Sequence, residues 1–151
     1  MRAVTRMAAA AAAGLVGVLA GCGEEQPDIT VTDASVRVPA NPDVTAGYLT
    51  VRNTGGTDDT LTGVTSDAAD EVQMHDTRQS DGNTEMVRQE EVAVGAEETV
   101  AFETGGLHLM LMEPGELEAG ETVRLSLEFS RSGTVPTEAE VVDPTDPDSG
   151  N

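Results

Sequence analysis

Gly105-Gly106-Leu107-His108-Leu109-Met110-Leu111-Met112 alternates without a break from Leu107 onward. In a β-strand, successive side chains point to opposite faces of the sheet. Leu107, Leu109 and Leu111 therefore share one face, which reads as the core face, while His108, Met110 and Met112 share the other. A sheet protein usually places Thr, Ser, Lys or Glu on that second face. Here it carries one imidazole and two thioethers, soft or borderline metal ligands whose combination suits Cu(I).

The segments on either side speak the same period-two language. Ile29–Thr32, Ala34–Val38, Ala46–Asn53, Thr60–Thr65, Glu71–Thr77, Thr84–Val92, Glu98–Glu103, Thr122–Ser130 and Thr134–Val142 all read as strands. Thr122–Ser130 alternates most cleanly, with Val123, Leu125, Leu127 and Phe129 inward. Pro39–Pro42, Thr54-Gly55-Gly56, Ser80-Asp81-Gly82-Asn83 and Glu113-Pro114-Gly115 are turn signals between them, and Val92-Ala93-Val94-Gly95 reads as a short link. Asp-Gly favours the positive φ angles of a tight hairpin. Beyond the N-terminal leader no segment sustains a helical period, so the expected architecture is an all-β, Greek-key antiparallel β-sandwich over residues 29–142. Residues 143–151, rich in Asp and Pro, read as a disordered tail.

Residues 1–21 read as an export signal: Arg2 and Arg6 open it and Met7–Ala20 is a short apolar run. The run ends in Leu19-Ala20-Gly21-Cys22, which resembles a bacterial lipobox, a signal in which cleavage precedes a lipidated Cys. Cys22 is then the lipidation site, residues 22–28 are the anchored tether, and the domain sits outside the cell membrane. An unmodified Cys in an ordinary cleaved signal stays open as the alternative. Cys22 is the single Cys of the chain, so there is no disulfide framework. A lipidated Cys22 also leaves no thiolate for a blue-copper or zinc-thiolate centre. The chain carries 28 acids against eight Arg and no Lys, a net charge of −20. That surface repels nucleic acid and anionic lipid, so neither is an expected partner.

The chain has two His, His75 and His108, and four Met lie beyond the leader: Met74, Met86, Met110 and Met112. Alternation through Val72–His75 sends Met74 to the core and His75 outward, beside Gln73. Met86 lies across the Asp81-Gly82 hairpin from His75. His108 and Met110 stand two residues apart on one face, about 7 Å along the strand. The resulting set is His75, Met86, His108 and Met110. Thioethers favour Cu(I) and imidazoles add affinity, whereas Zn prefers thiolate or carboxylate. Any one of these residues alone reads more simply as core filler or an idle surface group. The pattern by itself leaves a metal site and a packed interaction face both standing.

As spacing, the four residues read His75, ten residues, Met86, twenty-one residues, His108, one residue, Met110. This resembles the ligand motif of the PCuAC (DUF461) periplasmic copper chaperones. Ala46-Gly47-Tyr48-Leu49-Thr50-Val51-Arg52-Asn53-Thr54-Gly55, the Gly105–Met112 block and Glu121–Phe129 also resemble that family. The resemblance covers residues 29–142 and implies a cupredoxin-like sandwich with an exposed Cu(I) site near one end. It further implies a binding protein without enzymatic activity, delivering copper to the CuA site of cytochrome c oxidase together with Sco-type proteins. Copper storage or resistance would use the same ligands; a lipoprotein that only packs or adheres is the non-metal alternative. Some family members carry a Met directly after the first His, where this chain has Asp76. Met112 is expected as a neighbouring docking contact and Met74 as packing.

Overall fold

The computed structural model describes residues 25–145. Residues 1–21, read above as an export signal, Cys22, the first residues of the expected tether and residues 146–151 of the expected tail lie outside them. Ten strands form in chain order: β1 (Ile29–Arg37), β2 (Val44–Asn53), β3 (Asp59–Ser66), β4 (Glu71–Ser80), β5 (Asn83–Gln89), β6 (Val92–Val94), β7 (Thr99–Phe102), β8 (Leu107–Met112), β9 (Thr122–Phe129) and β10 (Gly133–Val142). No helix is present among the described residues.

Hydrogen bonding connects nine strands in the order β5-β4-β8-β2-β1-β10-β9-β3-β6, and β7 pairs with β2. The sheet wraps around one core, as a β-sandwich must to hide its apolar face. The alternating residues expected to point inward do so. Leu109 and Leu111 from β8 and Val123, Leu125, Leu127 and Phe129 from β9 are buried, Leu107 is partly buried against them, and Leu49 and Val51 from β2 join the same core. β5 contributes no side chain to that core.

Three expectations change. The sheet is mixed, because β1 pairs parallel to β10 through Ser35, Val36 and Arg37. A parallel partner requires a long crossover, and here nearly the whole domain intervenes between first and last strands. Val92–Val94 is a strand rather than a link: it pairs with β3 and buries both valines. β4 runs on to Ser80, where a two-residue turn joins it to β5. Asp81 and Gly82 both have positive φ, 52° and 82°, as a type I′ hairpin turn requires.

The start of the domain is tied down through buried Asn53. Its Oδ1 accepts from the Asp28 and Gly55 amides, and its Nδ2 donates to the carbonyls of Thr57, Val94 and Gly95. The Thr54 amide donates to the Asp28 carbonyl at 2.8 Å, and the Thr57 hydroxyl donates to the Glu25 carbonyl. Glu25–Asp28, expected as tether, thus lies along the domain.

Candidate metal centre

β4 and β8 run antiparallel in a register that sets His75 directly opposite His108 and Gln73 directly opposite Met110. Directly opposed residues project to the same side, so these four share one face. The imidazole centroids are 6.0 Å apart, with the rings tilted by 39°. An ion bonded at about 2.0 Å to one nitrogen of each ring would hold the centroids roughly 5–6.5 Å apart. The spacing therefore suits a shared metal ion without moving either strand.

Gly105, at φ 86°, makes the tight turn into β8. The turn brings the Gly106 carbonyl to where it accepts from His108 Nδ1 at 2.9 Å and from the Thr77 amide at 3.1 Å. A carbonyl only accepts, so Nδ1 of His108 carries the proton and Nε2 keeps its lone pair. On the other ring, His75 Nε2 is 2.9 Å from Gln73 Oε1. His75 Nδ1 is buried with no hydrogen-bond partner.

Burial, then the neighbouring charges of His108 and Arg88, hold the His75 imidazole below its ordinary pKa. It is therefore neutral at neutral pH, the form that can donate to a metal. Arg88 lies opposite His75 on β5 and forms ion pairs with Glu71 at 3.1 Å and Glu90 at 3.5 Å.

The face is less open than alternation suggested. His108 is only 7% exposed and Met110 and Met112 are half-buried. Strand β4 lies along one flank of β8 and β2 along the other, which shields the middle of the row. Met86 does share this face, but the hairpin register sets it opposite Thr77, two pairs beyond His75 toward the turn. It is a diagonal neighbour of His75, about 7–8 Å away at the backbone. Its side chain is 57% exposed, the one large apolar group so open among the described residues. Asp76 projects to the opposite face and accepts from Arg78 Nε at 2.8 Å, so it stands apart from the imidazoles. Met74 is core, as expected, and Met112 lies opposite Glu71 at the end of the row. Among the described residues no three His, Cys, Asp or Glu side chains gather in a metal-holding group. Beyond the two imidazoles, the soft donors on this face are the thioethers of Met86, Met110 and Met112.

Two residues beside the imidazoles were not singled out from sequence. Gln73 was placed on the His75 face without a role. Arg88 follows from counting outward from the Asp81-Gly82 turn, which pairs it with His75.

Known proteins bear on this arrangement at two levels. The family model for LpqE-like proteins, described as "Putative lipoprotein LpqE-like", matches residues 29–141. A curated protein of Leifsonia xyli subsp. xyli (strain CTCB07), "Putative lipoprotein Lxx21020", is 32% identical over 123 residues, covering 80% of this chain and 74% of that one. Among solved structures, the copper-bound PCuAC domain from PmoF2 superposes with a TM-score of 0.65 at 24% identity, covering 77% of this chain and 93% of the other. Apo-DR1885 from Deinococcus radiodurans gives 0.59 at 26% identity, covering 96% and 95%. Its Cu(I) form gives 0.60 at 24% identity, covering 82% and 84%. The fold is that of the PCuAC domains.

Proposed function

We propose that this chain, which belongs to the LpqE-like lipoprotein family, is an extracytoplasmic copper chaperone that binds Cu(I) through His75, Met86, His108 and Met110. The observation that carries the reading is the cross-strand His75–His108 pair, with the Met110 thioether next along the same strand face. Support comes from two proteins of the same fold whose structures are described as copper-bound or Cu(I)-loaded.

The chemistry follows from the donor set. Imidazole and thioether are neutral and soft, so they hold Cu(I) without the thiolate grip that would make release slow. His75, His108 and Met110 make a half-shielded seat, and Met86 on the exposed hairpin is the ligand that opens to a partner. Transfer is ligand exchange: an acceptor thiolate replaces Met86 first, then the remaining donors, and no covalent bond of the protein is made or broken. The acceptor is a protein presenting Cys sulfurs, the CuA subunit of cytochrome c oxidase or a Sco-type protein. Cys22 carries the lipid anchor that holds the domain at the outer face of the cell membrane.

An anaerobic Cu(I) titration of the full-length protein against a chromogenic chelator tests this. One equivalent bound by the wild type and lost in the His75→Ala/His108→Ala double variant is expected. A wild type that withdraws no more copper than the double variant would overturn the proposal.

A further inference from the structure

We infer that Gln73 is a positioning residue that selects Nδ1 of His75, against Nε2 of His108, as the two imidazole donors; the inference rests on the copper reading above. Gln73 and His75 are two residues apart on β4 and so project from one face. Gln73 Oε1 sits 2.9 Å from His75 Nε2. An amide oxygen only accepts, so the proton is on Nε2 and the lone pair is on Nδ1. The reverse arrangement, with the amide donating, would leave an Nδ1–H buried without an acceptor, because Nδ1 has no partner. An unmade bond of that kind carries its full desolvation cost. A lone pair at the same atom is satisfied as soon as a cation arrives.

His108 is held the other way round. Its Nδ1 donates to the Gly106 carbonyl at 2.9 Å, leaving Nε2 free. The pair is thus asymmetric: two rings 6.0 Å apart in opposite tautomers, one fixed by backbone and one by a side chain. Outer partners of this kind fix ring orientation and strengthen the donor, and their loss typically weakens metal binding by about 10–100-fold. Gln73 also lies directly opposite Met110 in the strand register, so the same residue is a neighbour of two of the proposed ligands.

The test uses full-length protein with nitrogen-labelled histidine and long-range proton–nitrogen NMR, metal-free and with one equivalent of Cu(I) added without oxygen. The wild type is expected to show His75 protonated on Nε2 and His108 on Nδ1 before metal. Cu(I) should then shift His75 Nδ1 and His108 Nε2. Gln73→Leu should lose the fixed His75 tautomer and weaken Cu(I) binding at least tenfold. Gln73→Glu, which keeps an acceptor, should retain both. Copper bound at His75 Nε2, metal-free His75 protonated on Nδ1, or a Gln73→Leu variant equal to wild type in spectrum and affinity would each overturn the assignment. If Gln73→Leu does not fold, the wild-type spectra decide alone. The expected tautomers with no copper-induced shift would overturn the copper reading itself.

Discussion

Asp59→Asn is expected to destabilise the domain far more than a one-atom change suggests. Asp59 opens β3 and is 2% exposed. Its Oδ1 accepts from the amides of Thr60 (2.8 Å) and Arg131 (2.9 Å) and from the Ser130 hydroxyl (3.1 Å). Its Oδ2 accepts from the amide (2.9 Å) and hydroxyl (2.6 Å) of Ser132. The carboxylate therefore closes the β9–β10 turn onto β3. An asparagine must turn its NH2 toward one of these two sets. The cheaper choice faces Ser132, whose hydroxyl can rotate to accept but whose amide is left without a partner. One such orphan costs about 1–3 kcal/mol, or roughly 4–12 °C in Tm for a domain of this size.

The pH dependence of that gap has a definite sign. Burial alone would raise the Asp59 carboxyl, but its hydrogen bonds to Ser132, Thr60 and Arg131 outweigh burial and hold it below its ordinary value. The stability it contributes is present above the unfolded pKa of about 3.9 and is lost as pH falls through the lower folded value. Thermal melts followed by far-ultraviolet circular dichroism should show a wide gap between wild type and variant at neutral pH. The gap should close below about pH 4. Equal Tm values at neutral pH, or a gap that persists unchanged in acid, would refute the reasoning.

Other perturbations have equally direct expectations. A Cβ at Gly55 would lie 2.1 Å from the Gln26 carbonyl oxygen and 2.6 Å from the Asp28 nitrogen. Gly55→Ala should therefore push Glu25–Asp28 off the domain at a cost of about 1–3 kcal/mol, read as faster hydrogen exchange at the Thr54 amide. Leu109 is fully buried behind the His108–Met110 face, and Leu109→Ala should cost about 2–5 kcal/mol in chemical denaturation. His75 titrates below its ordinary value in the folded state, so the unfolded chain binds the extra proton first. Metal-free stability should fall as pH drops below about 6.5, and His75→Gln should flatten that slope in thermal melts. Protons compete for the same nitrogens, so Cu(I) affinity should weaken below about pH 6; affinity constant down to pH 5 would contradict a two-imidazole site.

Much of this architecture was readable from period alone. Leu107–Met112 and Thr122–Phe129 alternate strictly: β9 buries all four residues that the alternation assigns inward, and β8 buries Leu109 and Leu111 and leaves Leu107 partly buried against the core. Asp81-Gly82 announced its hairpin because few other pairs adopt positive φ twice. Counting back from that turn also gives Thr77 opposite Met86 and Arg88 opposite His75, a register the sequence held but that only the strand lengths made definite. Val92–Val94 escaped because three residues are too few to show a period; only pairing with β3 makes them a strand. The parallel β1–β10 contact joins segments at opposite ends of the domain, and nothing local in Ser35–Arg37 encodes it. Alternation likewise names the face of His108 but not what flanks it, and so an expected open imidazole proves nearly buried.

The central claim is that imidazole and thioether donors meet on one ion. X-ray absorption at the copper edge, recorded on full-length protein loaded anaerobically with one equivalent of Cu(I), tests it most directly. The account predicts a reduced copper with both nitrogen and sulfur neighbours, the sulfur contribution diminishing in Met110→Leu and the nitrogen contribution in His75→Ala. A first shell of nitrogen and oxygen alone, unchanged by either substitution, would contradict it.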